Sequence, residues 1–442
     1  MSETPPIDLG PYVKRARSAS GPGVEGRVRE VLGMVVEVEG IPAAVGHQLE
    51  ATVGGRSVAL EVLGFRNGRI RAAPLGSVAG LAPGARVRSS QGGAQADVGP
   101  ALLGRVVDAF GRPLDSGGPI HCTDRASLHA APPAPFSRRP IVQALETRVR
   151  AIDALLPLGR GQRIGLFAGT GVGKSTLLGM LCRHSAADVI VVGLIGERGR
   201  EVGDFVRSAL GKEGLARSVV VAATSDAPPF VRARGALRAT AIAEYFRDQG
   251  KSVLLVMDSV TRYAMALREA SLAAGEPPLT KGYTPTVFAA LPALLERAGN
   301  TDGPGSITAV YTVLVEGDDL NDPIADAVRG ILDGHIVLSR KLADRGLFPA
   351  IDVLRSVSRI ANEVTTPDHM RASARVRDLL ASYDEAADLI QIGAYVAGSD
   401  PRIDAARIAY PKIEALIRQG LLEGLPREAS IQAMRSIAGN TP

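Results

Sequence analysis

The sequence predicts a multidomain chain with an N-terminal β-barrel, a central α/β domain built on a mostly parallel sheet, and a C-terminal α-helical domain. Short apolar runs that alternate with polar residues and glycine-containing turns fill the first part, whereas continuous apolar runs alternate with helix-compatible stretches in the middle. Strand-like runs disappear near the C-terminus, where apolar residues recur with helical period. We expect an N-terminal tail at 1–24, the barrel at 25–96, a connector at 97–140, the α/β domain at 141–364 and the helical domain at 365–442.

The composition excludes several function classes. No window approaches eighteen consecutive apolar residues and the first residues lack the pattern of a secretory signal, so we expect a cytoplasmic protein without a membrane span. The chain has no Trp and only 4% aromatic residues, which argues against a stacking surface for nucleic acid, and we expect no nucleic-acid partner. The cysteines and histidines are scattered and lack the spacing of a metal site.

The N-terminal tail and the barrel differ in composition. A basic cluster at Lys14, Arg15 and Arg17 lies in a tail rich in Pro and Gly. Either these charges only keep the tail solvated, or they bind a partner protein or an acidic lipid surface. From Glu25 onward, short alternating runs are separated by regularly recurring glycine turns. This pattern is typical of a small closed β-barrel.

A strand, a glycine-rich loop and a helix-forming stretch follow one another early in the α/β domain. Residues without a Cβ let the backbone curl around a phosphate and aim several N–H groups at it, while the dipole of the following helix favours the same negative charge. The pattern is that of a phosphate-binding loop, with Ala168 at the position that usually holds Gly. Its predicted nucleotide-binding residues are Ala168, Gly169, Thr170, Gly171, Val172, Gly173, Lys174, Ser175 and Thr176.

We expect this loop to bind ATP together with Mg²⁺. Lys174 would reach the β- and γ-phosphates, and the hydroxyl of Ser175 would ligate the metal. The fourth strand-like run ends in Asp258, an acidic residue that is expected to hold the same Mg²⁺. Position 259 is Ser259, so the catalytic base is not adjacent to the metal carboxylate. Arg262, one helical turn after Asp258, faces either the γ-phosphate or a surface ion pair.

The second strand-like run ends in a charged turn with the sequence GERGRE. A carboxylate at the carboxyl end of a strand beside the phosphate loop can orient a water for attack on the γ-phosphate, and we expect Glu197 to be this general base. Arg198 would compensate the phosphoryl charge, and Glu201 would reach the metal through water. The alternative is that the turn is only a solvated loop.

Two residues near the end of the α/β domain complete the predicted site. Arg359 lies well after the nucleotide-binding half of the domain, and we expect it to be an arginine supplied in trans to a neighbouring subunit. Phe348 either stacks on adenine or packs in the core.

These motifs together resemble the hexameric ATPases that include the catalytic subunits of rotary ATP synthases and, more closely, the ATPases of flagellar and virulence-type type III protein export. The resemblance covers nearly the whole chain after about residue 25, and its segments include GRVVDAFGRPLD, IGLFAGTGVGKSTLL, IGERGREV, LLVMDSVTRYAMALREASLAAGEPP and EGDDLNDPIADAVRGILDGHIVLSRKLADRG.

The resemblance implies a RecA-like core in a homohexameric ring with ATP at the subunit interfaces. In the family, an aromatic residue at the position of Phe348 packs on adenine. The residue at the position of Arg359 acts at the site of the neighbouring subunit. The positions that serve the nucleotide within one subunit are those of Lys174, Ser175, Glu197, Arg198, Asp258 and Arg262. Non-catalytic subunits of rotary synthases carry Gln where this chain has Glu197, so the acidic residue favours a catalytic subunit.

The resemblance also implies partners and a location. These are an export regulator or stator at the N-terminus, a coiled-coil central stalk protein, export chaperones with their cargo, and the membrane proteins of the export gate. The protein would then lie in the cytoplasm, peripherally associated with the inner-membrane export apparatus.

The preferred function is Mg²⁺-dependent ATP hydrolysis that energises flagellar type III export, through substrate unfolding or chaperone release. The first alternative is the equivalent ATPase of a virulence secretion system, and the second is a rotary ATP synthase catalytic subunit. An RNA-translocating hexameric helicase would require an aromatic-rich, basic N-terminal barrel, which the sequence lacks. A purely structural nucleotide-binding protein is the last alternative.

Overall fold

The computed structural model describes residues 24–90, 94–315 and 322–439, and the chain divides into two compact units after Ala94. The basic cluster of Lys14, Arg15 and Arg17 lies outside the described residues, as does the part of the EGDDLND motif at 316–321.

The first unit is built from six strands: β1 (Glu25–Leu32), β2 (Val35–Glu39), β3 (Gln48–Val53), β4 (Arg56–Arg66), β5 (Arg69–Pro74) and β6 (Arg86–Ser89). They form a closed antiparallel barrel in the order β1-β2-β5-β4-β3-β6, in which β6 pairs back with β1. Along β3, buried and exposed residues alternate because successive side chains of a strand point to opposite faces. Val28, Leu49 and Leu60 belong to the interior. The predicted barrel is confirmed.

The second unit is organised around one large sheet. The strands of this unit are β7 (Gln95–Val98), β8 (Arg105–Asp108), β9 (Asp124–Ser127), β10 (Ala144–Leu145), β11 (Leu158–Gly159), β12 (Arg163–Ala168), β13 (Val189–Ile195), β14 (Ser218–Ala223), β15 (Ser252–Asp258), β16 (Gly299–Asn300), β17 (Ser306–Leu314), β18 (Gly334–Leu338) and β19 (Ile351–Ser358). The pairs β7–β9 and β10–β11 form separate two-stranded sheets, and the other strands belong to the large sheet. The order across the sheet is β19-β18-β12-β17-β15-β13-β14-β8, with β16 pairing with β17. Only the β18–β19 and β16–β17 pairs are antiparallel among these, so the predicted mostly parallel sheet is confirmed.

Helices cover the sheet and form the C-terminal region. Their bounds are α1 (Arg150–Leu155), α2 (Lys174–His184), α3 (Gly199–Asp204), α4 (Gly211–Ala216), α5 (Pro229–Asp248), α6 (Val260–Ala273), α7 (Pro285–Leu295), α8 (Pro323–Ile331), α9 (Arg340–Asp344), α10 (Ala361–Val364), α11 (Pro367–Gln391), α12 (Pro401–Ile417) and α13 (Arg427–Gly439). A π-helical turn at Phe205–Leu210 joins α3 to α4. The last three helices form the predicted C-terminal helical region; they pack on one another and share one apolar core with the sheet.

The segment 97–140 differs from the extended connector that the sequence predicts. It contributes β8 to the edge of the sheet, in parallel register with β14, and β9 pairs with β7. These strands have only four residues each and stand among Gly and Pro turn signals, so their hydrophobic pattern is too short to indicate a strand. The strand β19 was also not predicted, because its alternating sequence IDVLRSVS differs from the continuous runs of the central strands.

A buried ion pair fastens this segment to the rest of the second unit. Arg297 is 1% exposed, and its guanidinium donates to Glu244 Oε1 at 2.9 Å and Oε2 at 2.5 Å. The same guanidinium donates to the carbonyl of Leu128, just after β9, at 2.6 Å. The arrangement therefore joins three distant parts of the chain.

We expect Arg297→Met to lower the free energy of unfolding by about 3–5 kcal/mol, because it leaves the buried Glu244 carboxylate without its partner. Urea unfolding followed by circular dichroism measures this, with the double variant Arg297→Met/Glu244→Leu as the control that removes both charges. The double variant should lose less stability than the single one, and equal losses would show that the unpaired carboxylate of Glu244 is not the cause of the destabilisation.

Candidate nucleotide site

The phosphate loop lies at the carboxyl end of β12, between this strand and α2. Gly171 and Gly173 have φ values of 78° and 90°, a left-handed conformation that other residues rarely adopt, and Gly173 is the N-cap of α2. In the described chain no side chain caps this helix, so the N–H groups of its first turn remain available to an anion. Ala168 is the last residue of β12 and does not have a positive φ, so a methyl group causes no backbone strain there.

The side chains of Lys174, Glu197 and Asp258 meet beside this loop. Lys174 Nζ lies 2.6 Å from Asp258 Oδ1 and 3.3 Å from Glu197 Oε1. The acids come together because β13 and β15 are neighbours in parallel register, with Leu194 opposite Asp258. Burial favours a lower pKa for Lys174, but the two carboxylates outweigh burial and the pKa is raised above its ordinary value.

The carboxyl group of Glu197 has a raised pKa. Burial is the main cause and a hydrogen bond with Glu201 adds to it, whereas Lys174 opposes the shift. A general base works best when its pKa lies nearer the pH of the reaction than that of a free glutamate. The environment of Glu197 is therefore suited to accepting a proton from water.

Thr312 is a site residue that the sequence analysis missed. Its hydroxyl donates to Asp258 Oδ1 at 2.7 Å, and Asp258 itself is only 3% exposed. Thr312 lies on β17, which neighbours β15, and a threonine within the apolar run of β17 was the signal that could have found it. This hydrogen bond holds the carboxylate in one orientation.

The residues of the site fit a magnesium ion that arrives with a nucleotide. Within the described ranges, no three His, Cys, Asp or Glu side chains form a complete metal site. Mg²⁺ prefers oxygen ligands and usually takes one or two protein groups, with phosphates and waters filling the rest of its shell. The buried carboxylate of Asp258 and the exposed hydroxyl of Ser175, the second residue of α2, are donors of this kind.

The remaining charged residues of the predicted site lie at different depths. Arg262 packs against Gly196, because a Cβ added to this glycine would lie only 2.9 Å from Cβ of Arg262. Nε of Arg262 is buried and has no hydrogen-bond partner in the described chain. The Arg198 side chain is 83% exposed and pairs with Glu201 at 3.7 Å. The structure thus places Arg262 beside the turn that carries Glu197, and it places Arg198 at the surface.

The segment that links β18 to β19 contacts the phosphate loop at two points. A Cβ on Gly173 would lie 3.2 Å from Cδ1 of Phe348, so this ring stands directly beside the loop, and it is 40% exposed. Arg340 Nη2 donates to the carbonyl of Thr170 at 3.1 Å, a contact that the sequence analysis missed. The exposed face of Phe348 favours a stacking position over a core position.

Arg359 lies at the opposite end of the sheet from the phosphate loop. It follows β19, which is antiparallel to β18, and Ser358 pairs with Gly334 at the start of β18. The length of β19, roughly 24 Å, separates Arg359 from Phe348 at the carboxyl end. The exposed Arg359 therefore cannot reach a phosphate held by the loop of its own chain.

Among the described helices, none is both long enough and apolar enough to cross a bilayer. Residues 148–358 match the model of the ATP synthase alpha/beta family, nucleotide-binding domain, and residues 365–436 match that of the T3SS EscN ATPase C-terminal domain. The chain is 52% identical over 417 residues to the flagellum-specific ATP synthase of Pseudomonas aeruginosa, covering 93% of this chain and 92% of that protein. It is 49% identical over 408 residues to the type 3 secretion system ATPase of Xanthomonas euvesicatoria, covering 92% of each.

A solved structure shows the same fold in an assembled state. It is the assembled ATPase EscN in complex with its central stalk EscO, from the type III secretion system of enteropathogenic E. coli. Its chain is 44% identical to this one, with a TM-score of 0.87, and the match covers 93% of this chain and 100% of that chain.

Proposed function

This chain belongs to the ATP synthase alpha/beta family and is an ATPase, and we propose that a hexameric ring of its copies hydrolyses ATP to energise flagellar type III protein export. The observation that carries the proposal is the cluster of Lys174, Glu197 and Asp258 beside an uncapped phosphate loop. This cluster combines a phosphate-binding cation, a base and a metal ligand at one end of one sheet.

We assign one role to each side chain around the bound nucleotide. The loop N–H groups and Lys174 bind the phosphates, and Glu197 accepts the proton of the attacking water. Asp258 and Ser175 hold Mg²⁺, which neutralises charge on the phosphates when it is bound. The remaining roles are those expected from the sequence. Arg262 and Arg198 compensate the charge of the phosphoryl group, and Glu201 reaches the metal through water. Phe348 stacks on adenine.

The second part of the active site comes from the next copy of the chain. Support comes from the position of Arg359 at the end of the sheet that faces away from the phosphate loop of its own chain. An arginine there serves a transition state only if the ring brings it to the loop of a neighbour. Each site would then consist of Glu197 from one copy and Arg359 from another.

We propose a coiled-coil stalk protein in the centre of the ring, and the solved complex of EscN with its central stalk EscO supports a stalk partner. The other proposed partners are a regulator at the N-terminal tail, chaperones with cargo, and the export gate. The protein would lie in the cytoplasm, at the inner-membrane export apparatus.

Deletion of the coding sequence distinguishes the flagellar role from the virulence role, which the Xanthomonas relative also supports. We expect the deletion strain to lose swimming and to keep effector secretion, with complementation by the wild-type chain as the control. Retained swimming together with lost effector secretion would assign the chain to a virulence system. A pull-down that recovers an equal amount of a homologous, non-catalytic subunit would favour a rotary synthase instead.

A further inference from the structure

A cavity lies at the amino end of the sheet, opposite the phosphate loop. It has a volume of about 470 Å³, which is within the range of small-molecule sites. Its wall includes Arg160 in the turn before β12, Asp188 directly before β13, and the first residues of β15 and β17, Ser252 and Ser306. The length of β12, roughly 20 Å, separates it from the nucleotide site, so the two sites can be studied separately.

The charge of this cavity is incompletely balanced. Arg139 and Arg160 line it, and Asp188 is the acidic residue in the described wall. The carboxylate of Asp188 already accepts the N–H of Ser252 at 2.8 Å, and Nε of Arg139 donates to the carbonyl of Thr301 at 2.9 Å. Arg160 makes no side-chain hydrogen bond or ion pair with any residue that the structure describes, so its positive charge is left for something else.

The hydroxyl of Ser252 is a second unused group in the same wall. Ser252 is 6% exposed, and its Oγ has no hydrogen-bond partner in the described chain. A buried polar group without a partner costs free energy, and a bound water or ion is one of the explanations for such a group in a native structure. A hydroxyl donates readily to an oxyanion, as a guanidinium does.

We propose that this cavity is an oxyanion site, in which Arg160 and the hydroxyl of Ser252 bind a phosphate or carboxylate group. Exposed Val142, together with Pro140 and Pro304, gives the wall an apolar part that would contact the remainder of the ligand. The oxyanion comes either from a free phosphate compound or from a carboxylate of a second copy of this chain. The second source rests on the proposed ring, because the amino end of the sheet also carries Arg359.

Phosphate titration by calorimetry tests the site in the full chain saturated with Mg²⁺ and a non-hydrolysable ATP analogue, which fills the nucleotide site. For a free ligand, we expect saturable binding to the wild type and at least tenfold weaker binding to Arg160→Gln and to Ser252→Ala. Arg160→Lys should keep part of the affinity because it keeps the charge. Arg56→Gln, an exposed arginine of the barrel, is the matched control and should titrate like the wild type.

Mass measurement in solution without phosphate distinguishes the two sources. If the oxyanion is a carboxylate of a second copy, Arg160→Gln and Ser252→Ala should assemble at least tenfold more weakly than the wild type, and phosphate should compete with assembly. If it is a free compound, both variants should assemble normally and lose only phosphate binding. The proposal is overturned if both variants match the wild type in phosphate titration and in assembly. Analogue binding, measured in the same samples, reports separately on the nucleotide site.

Discussion

Glu197→Gln is expected to bind ATP and to lower kcat by about 10²–10⁴-fold, because a carboxamide has nearly the shape of the carboxylate but cannot accept a proton from water. In the structure this carboxylate lies 3.3 Å from Lys174 and has a raised pKa, as a base beside the γ-phosphate requires. Phosphate release measured under saturating ATP gives kcat, and binding of a fluorescent ATP analogue gives affinity.

Glu213→Gln is the matched control for this variant. Glu213 is exposed in α4, away from the cluster of Lys174, Glu197 and Asp258. The variant carries the same chemical change, and its kcat should equal that of the wild type. The activity of the wild type should also fall on acidification, because Glu197 must be ionised to act. Since the pKa of Glu197 is raised, this fall should occur at a pH above the ordinary pKa of a glutamate. A Glu197→Gln chain with normal turnover would remove this residue from the mechanism and would favour a water positioned by other groups.

Lys174→Ala is expected to abolish hydrolysis through two effects. The first is the loss of the cation that binds the phosphates. Removal of one charge-stabilising group lowers kcat by about 10²–10³-fold. The second is local, because Lys174 is the cation that lies between Glu197 and Asp258, and its removal leaves two nearby carboxylates to repel each other and the nucleotide. Affinity for ATP should therefore fall together with turnover.

Lys212→Ala provides the control for the lysine change. Lys212 is exposed in α4, beyond the charged turn, and its loss should leave both ATP affinity and turnover unchanged. Nucleotide affinity by calorimetry and phosphate release together check the prediction. Normal ATP binding and hydrolysis by Lys174→Ala would contradict the assignment of the phosphate loop.

The sequence predicted the parts of the site that depend on local pattern. Three glycines between an apolar run and a helix-forming stretch identify a phosphate loop, because few other arrangements need such a backbone. Glu197 and Asp258 were predictable because each ends a continuous apolar run, and the carboxyl ends of parallel strands meet at the same end of a sheet.

The contacts that were not predicted depend on which strands become neighbours. Thr312 approaches Asp258 only because β17 lies beside β15, and Arg340 reaches Thr170 only because β18 lies beside β12. The cavity at Arg160 and Ser252 likewise joins strand starts that are distant in the sequence. Hydrophobic period places strands along the chain but does not give their order across a sheet, so these contacts could not be derived from it.

We propose that each active site combines Glu197 of one copy with Arg359 of another. Mixing equal amounts of an Arg359→Ala chain and a Glu197→Gln chain tests it most directly, after co-assembly has been verified by mass. Each variant alone should be inactive, whereas Arg355→Ala, an exposed neighbour on β19, should be active. Random mixing leaves about a quarter of the sites with both functional groups if the arginine acts in trans, so hydrolysis should return to about that fraction of the wild-type rate. No recovery of hydrolysis in verified mixed assemblies would contradict the shared site.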